Sequence, residues 1–101
     1  MERQKLTTEE INAALFELTE WDVNDAGHLH RKFKFENFQE ALDFANKVGE
    51  IAERHDHHPD ICLGWGYAEI SLTTHDRGGL TDFDLTVAKE VNEIEQKDLQ
   101  G

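Results

Sequence analysis

The chain has 101 residues, of which 38% are hydrophobic and 32% charged, and this composition suits one soluble globular domain over residues 1–101. Asp and Glu total 22 against 10 Lys and Arg, a formal net charge of -12, which argues against nucleic-acid or anionic-membrane partners because phosphates would be repelled. Cys62 is the single cysteine and no apolar run approaches membrane-spanning length, so we expect a cytoplasmic protein without an intrachain disulfide.

The N-terminal third of the chain predicts a helix followed by two strands. LTTEEINAALFEL carries Thr7 as an N-cap with Glu10 three residues later, and its apolar residues recur at helical spacing. The turn-forming NDAG separates a short strand, WDV, from HLHRKFKF, in which apolar side chains alternate. Arg31 interrupts the apolar face of that strand, whereas His28 and His30 are expected on its solvated face.

The remainder of the chain predicts a second helix, two strands and a third helix. ENFQEALDFANKVGEIAE has Asn37 and Glu40 in the same capping relation, and LTDFDLTVAKEVNEIEQ has Thr81 and Asp84. Between them, ICLGWG and the alternating YAEISLTTH predict strands, and the terminal KDLQG is expected to fray. The apolar positions expected to form buried faces of these elements are Phe38, Ala41, Leu42, Ala45, Val48, Ala52, Ala68, Ile70, Leu72, Ala88, Val91 and Ile94.

The predicted order of elements is therefore helix, strand, strand, helix, strand, strand, helix. Short connections favour antiparallel pairing of consecutive strands, and each helix offers one apolar face. We expect an α+β fold (α-β-β-α-β-β-α), in which a four-stranded antiparallel sheet has three helices on one face.

HDHHPD, at 55–60, places three of the six histidines within four positions. Glu53 lies four residues before His57, so a last helical turn that persisted would let the carboxylate hydrogen-bond the imidazole and orient it for acid–base work. An ordinary polar helix end explains the same residues, and residue chemistry alone leaves the two interpretations evenly matched. The histidines and acidic residues would also supply enough ligands to bind zinc, but no spacing typical of a zinc site is present.

Two further residues are candidates for the same site. His75 lies at the exit of the alternating strand, off the face of Ile70 and Leu72, and the DRGGL that follows would let a ligand approach the backbone. A polar residue at a loop edge is the alternative for His75 alone. Asp84 is fully explained by the capping box, unless other evidence gives it a second role.

Taken together, ERHDHHPD and LTTHDRGGLTDFDLTVA resemble the signature of the pterin-4a-carbinolamine dehydratases. The positions that match the signature are Glu53, Arg54, His57, His58, Pro59, Thr74, His75, Gly79, Leu80, Thr81, Asp84 and Ala88. The resemblance extends over nearly the whole chain, from LTTEEI through EWDV and FKFENFQEALDF. Arg54 stands where lysine is usual, and Ile61 and Trp65 fall where other aromatic residues are common.

The resemblance implies a dehydratase that removes water from a 4a-hydroxytetrahydropterin and gives the quinonoid dihydropterin, which is then recycled to the tetrahydropterin. It implies a pterin as the small-molecule partner, a homodimer or homotetramer, and no cofactor or metal. It also implies catalytic roles for His57, His58, His75, Glu53 and Asp84, and substrate-binding roles for His57, His58, Pro59, Thr74, His75, Asp76, Arg77 and Trp21.

A protein-interaction role is the alternative function. Animal members of the same family also bind a homeodomain transcription factor and stabilise its dimer, which leaves a nuclear location open beside the cytoplasmic one. The intact histidines favour the enzyme, because a scaffold would not need them. The sequence leaves open the natural pterin side chain, the division of acid and base roles among the histidines, and the choice between dimer and tetramer.

Overall fold

Residues 4–97 are described by a computed structural model, in which three α-helices accompany one four-stranded antiparallel sheet. The elements are α1 (Thr8–Glu17), β1 (Asp22–Val23), β2 (Leu29–Lys34), α2 (Phe38–His55), β3 (Asp60–Gly64), β4 (Tyr67–Leu72), a 3-10 turn (His75–Arg77) and α3 (Asp82–Lys97). Their order confirms the predicted α+β class. The terminal KDLQG, at 97–101, was expected to fray; Lys97 ends α3, and residues 98–101 lie outside the described range. Within residues 4–97 no helix combines the length and apolar character needed to cross a bilayer.

The first two helices begin at the predicted caps. The Thr7 hydroxyl accepts from the N–H of Glu10 at 3.1 Å while the Glu10 carboxylate accepts from the N–H of Thr7 at 2.8 Å, so both halves of the capping box are present. Asn37 accepts from the N–H of Glu40 at 2.9 Å. The Glu40 carboxylate, however, accepts from the N–H of Glu36, so only one half of the box forms at α2.

The sheet has the strand order β1-β2-β4-β3 with antiparallel neighbours throughout. β2 and β4 pair Leu29 with Leu72, and β3 and β4 pair Asp60 with Ser71. Because the neighbours are antiparallel, β2 and β3 start at the end of the sheet where β4 finishes. The segments that carry most of the histidines therefore meet at this end.

The core lies between the sheet and the helices, and the strands contribute to it as predicted. The buried strand residues include Leu29, Phe33, Ala68, Ile70 and Leu72, and those of α2 are Ala41, Phe44, Val48, Ile51 and Ala52. The predicted face of α2 was partly wrong: Phe38 is 45% exposed, whereas Phe44 and Ile51 are buried. Phe44 and Ile51 share the helical spacing of Ala41 and Val48, whereas Phe38 is the first residue of α2.

Arg31, which interrupted the apolar face of β2, is buried on the core side of the sheet. Its guanidinium donates to the side-chain oxygen of Asn92 at 2.8 Å, pairs with Glu20 at 3.2 Å and lies 4.2 Å from the ring centre of Phe33. Trp21 donates from its indole Nε1 to the same Asn92 oxygen at 2.7 Å. These polar partners explain how a charged side chain is accommodated among apolar ones.

Candidate active site at one end of the sheet

The end of α2 determines where His57 lies. Asp56 adopts the left-handed conformation with a φ of 50°, and its N–H donates to the carbonyl of Glu53 at 3.3 Å. The N–H of His57 donates to the carbonyl of Ala52 at 3.0 Å. This pair of bonds is a Schellman motif, which reverses the chain direction after the helix. The reversal carries the imidazole of His57 off the helix surface and into a buried position.

Asp84, in the first turn of α3, is the centre of a buried polar network. Its side chain is fully buried, and its carboxylate accepts from His57 Nε2 at 2.5 Å, from Thr74 Oγ1 at 2.9 Å and from the N–H of Thr81 at 2.9 Å. The Thr81 hydroxyl lies 2.7 Å from Thr74 Oγ1. Since the single proton of Thr74 is directed at Asp84, Thr81 is the donor in that last bond.

The same network connects three parts of the fold. His57 comes from the reversal after α2, Thr74 from the exit of β4, and Thr81 from the start of α3. Asp84 thus combines its predicted capping contact, the bond to the N–H of Thr81, with a hydrogen bond to a histidine. A carboxylate that accepts from several fixed donors holds those donors in one geometry, so the His57 ring has a defined orientation.

The predicted contact between Glu53 and His57 is wrong. Glu53 Oε2 lies 2.5 Å from His58 Nε2, and both side chains are largely exposed, at 78% and 54%. The prediction assumed that the helix continues to His57, whereas the left-handed Asp56 ends it and breaks the four-residue relation. Asp84, not Glu53, holds the His57 ring.

His75 begins the 3-10 turn and lines a cavity of about 410 Å³. The backbone N–H of Thr74 donates to the carbonyl of Gly79 at 3.1 Å, and Gly78 ends the turn with a φ of 70°, a conformation that favours glycine. The residues that line the cavity are Lys5, Leu6, Ile11, Val23, Ala26, Gly27, His28, Thr73, His75, Gly78, Gly79 and Leu80. His57 and His58 are not among them.

His28 is a residue of this cavity that sequence reasoning missed. It was expected on the solvated face of its strand, but it is half-buried and its ring centre lies 6.2 Å from that of His75, with the ring planes at 88°. Its place at the start of the HLHRKFKF segment was readable from the sequence. The pairing of β2 with β4, which brings it beside the exit of β4, was not.

The other predicted site residues are spread around the same end of the sheet. Pro59 is half-buried immediately before β3, and Asp76 and Arg77 are exposed in the 3-10 turn. Trp21 is buried in the core with its indole bonded to Asn92, and it is not part of the cavity lining. The substrate-binding role of Trp21 stays a prediction. Among the described side chains, those of residues 4–94, no group of three His, Cys, Asp or Glu is arranged to hold a metal ion.

Comparison with known proteins identifies the family to which the chain belongs. The chain matches the family model described as Pterin 4 alpha carbinolamine dehydratase over residues 4–94, and it belongs to that family. A relative from Rubrobacter xylanophilus, provisionally named a pterin-4-alpha-carbinolamine dehydratase, is 51% identical over 89 residues, which cover 88% of this chain and 83% of the relative. A relative from Methylococcus capsulatus with the same provisional name is 48% identical, over 88% of this chain and 79% of its own length.

Two solved structures share the fold. A transcriptional coactivator/pterin dehydratase from Brucella melitensis superposes with a TM-score of 0.86 and 34% identity, over 90% of this chain and 98% of its own. A pterin dehydratase-like protein, described as a RuBisCO assembly factor in the alpha-carboxysome, superposes with a TM-score of 0.63 and 20% identity, over 75% of this chain and 89% of its own. The second likeness extends to the fold alone.

Proposed function

We propose that this chain is a 4a-hydroxytetrahydropterin dehydratase, which gives the quinonoid dihydropterin by histidine acid–base catalysis and serves tetrahydropterin recycling. The observation that carries the proposal is the buried carboxylate of Asp84, which holds His57 and is bonded to Thr74, the neighbour of His75. Membership of the pterin-4a-carbinolamine dehydratase family supports the same reaction class.

The reaction needs a proton donor and a proton acceptor at one small site. The bond between C4a and its hydroxyl oxygen breaks, and because hydroxide is a poor leaving group, that oxygen must take up a proton and depart as water. A ring nitrogen loses its proton as the new double bond forms. Imidazoles can do both near neutral pH, and each such transfer typically contributes about 10²–10⁴-fold to the rate.

His57 suits one of these transfers because its ring is fixed. Nε2 is bonded to Asp84, so Nδ1 is the nitrogen left for exchange with the substrate. Only about 10% of the His57 side chain is exposed, which limits the positions from which a substrate can reach it. The ionised carboxylate also stabilises the imidazolium that forms when Nδ1 takes a proton.

His58 and His75 complete the proposed catalytic set. His58 is positioned by Glu53 at the surface, and His75 follows Thr74 along the chain. In this proposal the backbone at Thr74–Arg77 and the ring of Pro59 hold the pterin, and no metal or organic cofactor takes part. A soluble compartment such as the cytoplasm suits such a small-molecule substrate.

The test is the dehydration of freshly generated 4a-hydroxytetrahydropterin, followed by absorbance. We expect His57→Ala and His75→Ala, each shown to be folded by circular dichroism, to lower turnover about a hundredfold or more. His30→Ala is the matched control, because His30 lies in β2 and pairs with Asp22 and Glu69 away from the network. Near-normal turnover in either of the first two variants would refute the assigned roles.

A second candidate function is the binding of a protein partner. β3 is an edge strand, and two large apolar side chains are exposed there: Ile61 within the strand, at 36%, and Trp65 in the turn that follows it, at 73%. The Brucella neighbour is described as a transcriptional coactivator as well as a dehydratase. A homodimer or homotetramer could cover the same surface, and light scattering would detect it. If the wild-type protein does not accelerate dehydration over buffer, partner binding becomes the better proposal.

A further inference from the structure

We propose that the cavity beside His75 receives the side chain at C6 of the pterin and favours a side chain that carries an anionic group. The inference rests on the proposed function, because it assigns the substituent of that substrate. It follows from three features of the cavity: histidines without carboxylate partners, a lysine held at the rim, and a lining without acidic residues.

The first feature is the unequal pairing of the six histidines. Four of them have a carboxylate partner: His30 with Asp22 and Glu69, His55 with Glu90, His57 with Asp84, and His58 with Glu53. Among the side chains of residues 4–94, His28 and His75 have no such partner, and the ring contact they make is with each other. Their nitrogens therefore remain available to a ligand in the cavity that both of them line.

The second feature is Lys5, which the local backbone holds at the rim of the cavity. The N–H of Leu6 donates to the carbonyl of Leu80 at 2.7 Å and fastens this segment to the loop before α3. The Lys5 stem lies against Gly79, where a Cβ would come within 2.6 Å of the lysine Cε. Among the described residues no carboxylate forms an ion pair with Lys5, so its charge is not neutralised by the protein.

The third feature is the charge balance of the lining. Acidic residues outnumber basic ones 22 to 10 in the chain, yet the lining contains Lys5 and two histidines and no Asp or Glu. Asp25 and Asp76 lie close in sequence to His28 and His75 but are not lining residues. A positively charged ligand group would find no counter-charge here, whereas a carboxylate or phosphate would meet a lysine and up to two imidazolium donors.

The cavity also has the size and the apolar surface that such a ligand needs. Its volume of about 410 Å³ falls within the range of small-molecule sites. Leu6, Ile11, Val23 and Leu80 supply an apolar wall, and the Thr73 hydroxyl adds a neutral hydrogen-bonding group. His75 belongs to the proposed catalytic set and lines this cavity together with His28 and Lys5. A pterin ring that contacts His75 therefore has these two side chains in the same cavity to receive its C6 substituent.

The experiment compares two fluorescent pterins with the same ring, pterin-6-carboxylate and 6-hydroxymethylpterin, by fluorescence titration of the full chain. We expect the carboxylate to bind about fivefold more tightly at low salt, and the preference to shrink as salt is added. Lys5→Gln and His28→Asn should each reduce the preference. Lys34→Gln removes an exposed lysine at the far end of β2 and should leave it unchanged.

The possible results separate this inference from the proposed function. The inference is overturned if the wild-type protein binds the two pterins with equal affinity. It is also overturned if Lys34→Gln and Lys5→Gln lose the preference equally. In either case normal dehydration activity would leave the proposed function intact. If neither pterin binds, the inference fails as well. A preference that depends on Lys5 and His28 supports the cavity assignment even when the dehydration assay is negative, and in that case the proposed reaction alone is refuted.

Discussion

Replacement of Asp84 by asparagine tests the buried network directly, because the two side chains have nearly the same shape. Thr74 and Thr81 both donate to Oδ2, whereas His57 donates to Oδ1. An asparagine with its carbonyl oxygen at the Oδ2 position keeps both threonine contacts. Its NH₂ group then faces His57 Nε2, so two donors meet unless the histidine moves its proton to Nδ1.

The expected cost follows from the bond that changes. A hydrogen bond to a charged group contributes about 1.5–3 kcal/mol, and a small domain has about 5–15 kcal/mol in total, so we expect Asp84→Asn to fold with reduced stability. With the proton on Nδ1, His57 can no longer accept one there, and we expect dehydration to slow by about 10²–10⁴-fold. Urea unfolding measures the first effect, and the absorbance assay of dehydration measures the second.

Glu53→Gln is the matched control, because it makes the same chemical change in an exposed histidine pair. Exposed ion pairs contribute at most about 1 kcal/mol, so this variant should unfold close to wild type. If Asp84→Asn loses no more free energy of unfolding than Glu53→Gln, the buried network stabilises the fold no more than an exposed ion pair does. If its stability falls and dehydration is unaffected, the network is structural and His57 is not the acid–base residue.

Three further predictions concern residues outside the proposed catalytic set. Asp56→Gly should raise the free energy of unfolding by up to about 1 kcal/mol in urea, because glycine adopts the left-handed conformation without strain; a loss of stability would contradict this account of the end of α2. Trp21→Phe should cost about 1 kcal/mol, because Asn92 loses one of its donors, and an unchanged thermal midpoint would count against that bond. The nearby Cys62 thiolate, more than burial, raises the pKa of the Tyr67 phenol in the folded protein above its ordinary 10.0. The unfolded chain therefore loses the phenol proton at a lower pH than the folded protein does, so the free energy of unfolding should fall as the pH rises from about 10.0 through the folded-state pKa. Cys62→Ser should lower that pKa in a phenolate absorbance titration, and an unchanged titration would refute the assigned cause.

The fold was predictable because its signals are local. The capping box of Thr7 and Glu10 and the alternation along β4 involve residues a few positions apart, and both occur as expected. The burial of Phe44 was missed because a helical stripe can be drawn from the sequence in more than one way. Which of those stripes faces the sheet depends on tertiary packing.

The geometry of the site was less predictable because two of its contacts depend on non-local features. The sequence predicted Glu53 as the partner of His57, whereas the structure has Asp84 in that place, because the left-handed Asp56 ends α2. Aspartate is only moderately typical of that conformation, so the sequence did not indicate it. His28 joined His75 because β2 pairs with β4 and not with β3. The resemblance had implied a catalytic role for Asp84, but the residues alone accounted for Asp84 as a cap.

The histidines differ in how many of their ring nitrogens contact a carboxylate and how many remain for a substrate. Nε2 of His57 is occupied by Asp84, which fixes the ring and leaves one nitrogen for proton exchange, whereas both nitrogens of His75 are without a carboxylate in the described range. A fixed ring serves the chemical step, and a ring that can turn toward the ligand serves binding as well. We therefore expect His57→Ala to lower kcat with little change in KM, and His75→Ala to lower kcat and raise KM together. Initial-rate kinetics on both variants measure the difference, and an effect of His57→Ala on KM alone would show that this ring binds the substrate without exchanging its protons.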